Sequence, residues 1–177
     1  MCELMLERGD RSAHGSVDGH EARLTVPRAG GEEEIVVPTP FLPDALARLN
    51  DLGPRPRPDP AVRLRFAAGE LAAVLAERSA PRAAALFGAQ SERLAAERLV
   101  AELREHWRIE ARWEPSGGSP GVRVVEVLDT DGGLWLVVPD GDAVELWPTT
   151  PTTVWRLLAG LLPRDDELSG RPPSMSP

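Results

Sequence analysis

The chain has 177 residues, 20 basic against 28 acidic, and a formal net charge of −8. That length gives a hydrophobic core without staples. The acidic balance excludes a general nucleic-acid binder, which needs a basic stripe to displace counterions. One cysteine excludes a disulfide framework and a cysteine-rich zinc site. No apolar run reaches membrane-span length, and Met1-Cys2-Glu3-Leu4 lacks the basic start and apolar stretch of a signal peptide, so a soluble cytoplasmic protein is expected. Every basic residue is Arg and Tyr is absent, which removes Schiff-base lysine, P-loop lysine and tyrosine-acid chemistry.

From the N-terminus, residues 1–20 hold His14 and His20 in a polar, Gly- and Ser-rich stretch, and no strand is predicted there. Arg23–Pro27 and Glu34–Thr39 then read as two strands joined by a Gly-containing turn. Pro38 ends the second strand by removing a ladder donor. Leu42, Ala45, Leu46, Leu49 and Leu52 recur at helical spacing, with Asp44 expected at the N-cap. Gly53-Pro54 stops that helix, and Pro54-Arg55-Pro56-Arg57-Pro58-Asp59-Pro60 is a stiff extended connector.

Val62–Phe66 alternates as a strand. Helices follow at about 68–78 and about 81–106, the second broken near Gly88, with Leu94, Leu99, Val100 and Leu103 as its apolar stripe and His106 near its charged end. A four-stranded meander comes next: Ile109–Trp113, Val122–Leu128, Leu134–Val138 and Val144–Leu146. Pro148 ends it, and Val154, Leu157, Leu158, Leu161 and Leu162 mark a helix with its N-cap at Thr150 or Thr152. Residues 164–177 are expected to form a disordered tail.

The hairpin and helix occur twice. At an offset of 110 residues Leu24 falls on Leu134, Val26 on Leu136, Val36 on Leu146 and Pro38-Thr39 on Pro148-Thr149. The offset then slips to 109, placing Leu49 on Leu158 and Leu52 on Leu161. The expected fold is therefore α+β: an antiparallel sheet with flanking helices, in two quasi-two-fold related β-hairpin-plus-helix halves. A single domain would span residues 1–163, with repeats at about 22–54 and 133–163.

Catalytic constellations are scarce. Three dispersed histidines give no zinc spacing, and Cys2 sits at a terminus where a nucleophile is hard to hold. Asp129, Asp131, Asp140 and Asp142 are what hairpin turns select, although paired carboxylates also do acid–base work or bind a hard cation. No catalytic residue, cofactor-binding residue or metal ligand is assigned, and no enzyme activity is expected. Both faces of the meander read as apolar, with Val125, Val127, Trp135, Val137 and Trp147 grouped on one of them. Trp135 and Trp147 are the candidate partner-binding residues, because large exposed aromatics mark interaction sites.

The run Val125–Val138, with Asp129-Thr130-Asp131-Gly132-Gly133-Leu134-Trp135, resembles the signature of the EspG family, and the Val144–Pro148 strand and Leu-rich terminal helix fit the same family's C-terminal end. The family's usual Gly-Arg-aromatic is Gly133-Leu134-Trp135 here. The resemblance implies an α+β fold with two related halves and the work of a cytosolic chaperone of ESX (type VII) secretion in actinobacteria. Such chaperones keep PE–PPE heterodimers soluble by holding the helical tip of the PPE partner. Against that family the chain reads as shortened in its first half, without a counterpart of strand 122–128. The resulting incomplete sheet favours a homodimer. Two alternatives stand beside the chaperone: a homodimeric, non-catalytic scaffold, and a small enzyme using the Asp-rich turns.

Overall fold

A computed structural model describes residues 1–60, 63–77, 90–116 and 119–169. Nine strands form one antiparallel sheet: β1 Cys2–Arg8, β2 Arg11–Val17, β3 Glu21–Arg28, β4 Gly31–Pro38, β5 Leu64–Ala67, β6 Leu103–Trp113, β7 Gly121–Thr130, β8 Gly133–Asp140 and β9 Ala143–Thr149. Their hydrogen-bonded order is β4-β3-β2-β1-β6-β7-β8-β9-β5. Five helices flank it among the described residues: α1 Leu42–Leu49, α2 Ala68–Ala76, α3 Gln90–Glu102, α4 Pro151–Ala159 and α5 Asp165–Ser169. The α+β class read from the sequence is what the structure has.

The chain divides into two compact units. The first comprises Met1–Gly53, Trp107–Val125 and the residues from Thr152 on, and the second comprises Pro54–His106 and Glu126–Pro151. In the first unit, β1 places Cys2, Leu4 and Leu6 beside Trp113, Ala111 and Ile109 of β6 and beside Val17, Gly15 and Ala13 of β2. That row continues through Ala22 and Leu24 to Val37 and Ile35. One face is thus apolar and buried, and Glu3, Glu7, His14 and Arg112 alternate onto the other. Helix α1 buries Leu42 and Leu46, and α4 buries Val154 and Leu158.

In the second unit, Phe66, Leu71, Val74, Ala96, Leu99, Leu128 and Leu146 form a core between the sheet and helices α2 and α3. Helix α2 opens with the Glu70 carboxylate accepting from the Ala67 N–H at 2.7 Å, half of a capping box. Gly133, at φ +124°, lets the Pro-rich connector lie against β8: a Cβ there would stand 2.3 Å from the Pro56 carbonyl oxygen and 2.6 Å from Pro58.

Several expectations are corrected. The first twenty residues contain two strands, so the first hairpin does have a partner strand ahead of it. The polar look of β2 arises because its inward positions are Ala13, Gly15 and Val17, two of them small. A Cβ on Gly15 would meet Leu24 Cδ2 at 2.6 Å, so this inward position demands the residue that carries no apolar signal. The argument that an incomplete sheet requires a homodimer is therefore removed. The helix expected to reach residue 106 ends at Glu102, where β6 begins, so His106 lies on a strand. Its predicted start and the break near Gly88 lie outside the described residues. Leu94 and Leu157, both expected to face the core, are exposed. Asp44 sits inside the first turn of α1 rather than at its N-cap. The tail expected to be disordered from residue 164 begins with α5, held by Glu167 against Arg123 at 2.6 and 2.8 Å and by the Ser116 N–H on the Leu168 carbonyl. Residues beyond 169 lie outside the described residues.

The repeat is also re-registered. Glu21 and Gly133, which start β3 and β8, are 112 residues apart, as are Gly31 and Ala143, Leu42 and Val154, and Leu46 and Leu158. The cross-strand pairs agree: Gly15 opposite Leu24 matches Val127 opposite Leu136, and Arg28 opposite Gly31 matches Asp140 opposite Ala143. An offset of 110 fitted the sequence because side chains on a strand alternate with period two, so a two-residue slip keeps every apolar residue on its face.

Candidate protein-interaction surface

The two candidate tryptophans do not share a face. Leu128 pairs with Trp135 and Trp135 with Pro148, whereas Leu136 pairs with Trp147. Trp135 therefore stands with Leu128, Val137 and Leu146 on the face covered by α2 and α3, half-buried against that core. It also lines a small cavity with Leu64, Leu99 and Thr130. Its bulk fills the interior of the second unit, and the grouping of Trp135 with Trp147 is corrected. Counting alternation through a hairpin without its register loses the parity that decides the face.

Trp147 stands on the other face beside Leu136 and is 37% exposed. Its indole N–H donates to Glu145 Oε2 at 2.8 Å, and the Arg63 guanidinium lies 4.3 Å from the ring centroid. Glu145 in turn receives Arg65 at 3.6 Å, and Arg65 also pairs with Asp140 at 2.9 Å. The ring is thus fixed in one orientation by a hydrogen bond below and a cation above. An aromatic anchor held without loss of rotamer freedom, set among half-exposed Leu136 and Val138 and two arginines, has the composition of a binding hot spot.

A second exposed aromatic group lies on the first unit and was not singled out from sequence. Phe41, ahead of α1, and Trp155, on α4, are exposed, and the Trp155 indole N–H donates to Asp44 Oδ1 at 3.1 Å. The signal was available: Trp155 follows buried Val154 in a helix whose inward positions are four apart, which points it outward.

The polar residues serve the fold. Asp129 accepts from Arg55 Nε at 3.2 Å and Nη2 at 3.1 Å, Asp131 is bonded by Arg104, and Asp140 by Arg65. Each of these three turn carboxylates faces its own arginine, and the arrangement carries no acid–base pair. Among the described residues no cluster of three His, Cys, Asp or Glu could hold a metal ion. His14 lies on β2, and His106 Nε2 lies 2.8 Å from Glu126 Oε1. Cys2 is buried on β1; burial pushes its thiol above the ordinary value, with the N-terminal charge opposing, which suppresses the nucleophilic thiolate. Glu110, only 2% exposed, is the one buried carboxylate that sequence reading passed over; it takes hydrogen bonds from Arg112 and Arg108 on its own strand. Burial pushes that carboxyl up, but the two guanidinium groups prevail and hold it below the usual carboxylate value. No helix among the described residues is long and apolar enough to cross a membrane.

No family model matches the chain, and no curated protein matches it. Among solved structures it is similar to the type VII secretion system chaperone EspG5 of Mycobacterium tuberculosis, determined in complex with a PE25–PPE41 dimer. The likeness has a TM-score of 0.52 and 14% identity, and covers 97% of this chain and 74% of that one. What this chain shares with EspG5 at that distance is its fold.

Proposed function

We propose that this protein is a non-enzymatic, cytoplasmic chaperone or adaptor of the EspG kind that binds a helical type VII secretion substrate, such as a PE–PPE-like pair, and keeps it soluble for export. The observation that carries the reading is the fold likeness to a chaperone of that system along nearly the whole chain. We read residues 1–163 as one domain made of two copies of a strand hairpin and helix, spaced at 112 residues. The mechanism is masking: an apolar helical tip docks on an aromatic surface, and burial of apolar area supplies the free energy. Trp147 is the anchor in this reading, and Trp135 supports it from the opposite face.

The test is co-expression with small helical proteins encoded beside this gene, read by affinity capture and by size-exclusion chromatography with light scattering. A stoichiometric complex that solubilises its partner is expected. Trp147→Ala, with its fold checked by circular dichroism, should weaken capture roughly tenfold or more, as loss of a hot-spot aromatic does. A stable dimer that captures none of them would replace the chaperone by the homodimeric scaffold. Unchanged capture by Trp147→Ala would move the docking surface elsewhere on the fold.

A further inference from the structure

Strand β4 ends the sheet order, so one side of its backbone has no neighbouring strand. Beside it runs an open groove of about 420 Å³ lined by Ile35 and Val37 of β4 and by Phe41, Ala45 and Leu49 around α1. A groove between an edge strand and a helix suits an added strand: the backbone pairs along the edge and alternate side chains enter the groove.

The residues of β4 specify what such a strand must carry. Glu33, Ile35 and Val37 alternate onto the groove face, and Glu32, Glu34 and Val36 onto the other, where Val36 is exposed. Glu33 bonds Arg28 and Glu34 bonds Arg23 within the same hairpin, both through solvent-exposed pairs, and Glu32 has no ion pair among the described residues. Three consecutive glutamates followed by Ile35-Val36-Val37 therefore ask for basic residues opposite the first three positions and apolar residues opposite the last three, because cross-strand neighbours are the unit of sheet stabilisation. A second copy fits poorly. Antiparallel self-pairing over the whole strand sets glutamate against glutamate, and the register that avoids this leaves only Ile35–Val37 paired before Pro38 withdraws its donor.

We propose that the β4 edge and its groove form a docking site for an extended segment of a partner protein. That segment lies antiparallel to β4, with about three apolar residues followed by about three basic ones. The site is separate from Trp147 and does not depend on the chaperone reading.

The test uses the full chain and two labelled synthetic peptides, Val-Ile-Val-Lys-Lys-Lys and Val-Ile-Val-Glu-Glu-Glu, followed by fluorescence anisotropy at low salt. The basic peptide should bind at least about tenfold more tightly, as several cross-strand charge pairs together provide. Ala45→Arg, which fills the groove from α1, should abolish binding. Reversing Glu32, Glu33 and Glu34 to Lys should invert the preference between the peptides, a readout that a folding defect cannot imitate. Trp147→Ala should leave peptide binding unchanged. Failure to bind either peptide, equal binding of both, or a preference untouched by the charge reversal would overturn the proposal, as would dimerisation of the chain through this edge.

Discussion

The contact between Arg55 and Asp129 fixes the Pro-rich connector to the second unit, and it makes a quantitative demand. The guanidinium contacts the carboxylate through Nε and Nη2, with side-chain exposures of only 17% and 11%. Arg55→Met keeps the stem and removes the charge, leaving Asp129 buried without this cation. Breaking a fully buried pair costs about 3–5 kcal/mol, and the residual exposure lowers the expectation to about 2–3 kcal/mol. With a urea slope of about 2 kcal/mol/M for a chain of this size, the denaturation midpoint should fall by about 1–1.5 M. Arg55→Met combined with Asp129→Leu removes both charges and should recover at least half of the loss, since two apolar groups at such a site are close to neutral. The assay is a double-mutant cycle in urea, followed by tryptophan fluorescence and circular dichroism. A single-mutant loss below about 0.5 kcal/mol, the level of an exposed pair, would refute the reasoning, as would a double mutant as unstable as the two losses added.

Three further outcomes are expected. Gly133→Ala should destabilise by more than about 2 kcal/mol in thermal or urea unfolding, because the added Cβ meets the Pro56 carbonyl in a left-handed backbone conformation. Gly15→Ala should cost about 1–3 kcal/mol through its clash with Leu24, and Leu24→Ala in the same chain should make the glycine substitution nearly free of further cost. Glu110 has a folded-state pKa below its unfolded value of about 4.5, so it contributes stability that is full above that pH and is lost as pH falls through the folded value. Glu110→Gln should therefore flatten the acid limb of a stability–pH curve and lower the plateau at neutral pH; an unchanged acid limb would contradict the assigned role.

Much of the fold was legible because its strands alternate cleanly and its turns carry Gly and Asp. The meander from Ile109 to Leu146, the short strand before α2 and the helix after Pro148 follow from those signals alone. The first two strands were not legible for reasons that can be named. Strand β1 alternates Glu3, Met5 and Glu7 with Cys2, Leu4 and Leu6, a pattern hidden at a terminus, where disorder is the usual outcome. Strand β2 buries Ala13 and Gly15, residues whose value here is their smallness against Leu24. His106 was placed on a helix because the charged pattern of α3 runs on past Glu102 into β6 without a breaker: Leu103 and Arg104 suit either structure, and the chain changes period where Glu102 accepts the Asp131 N–H at 2.8 Å.

The candidate site was half legible, and the missing half has one physical origin. Composition alone identified tryptophans as worth weighing, but whether a tryptophan on a hairpin lies inside or outside depends on register, which the turn sets and the side-chain pattern does not. Trp135 and Trp147 are twelve positions apart, an even separation that suggests a common face on an uninterrupted strand. The turn at Gly141-Asp142 pairs Leu136 with Trp147 and so reverses that parity. The same ambiguity let a 110-residue repeat stand in for one of 112, since neither slip moves an apolar residue off its face. Parity of register is thus what separates a core tryptophan from a surface one here. Trp147 is the residue of the pair on which a partner can act, with Arg63 and Glu145 holding it in place.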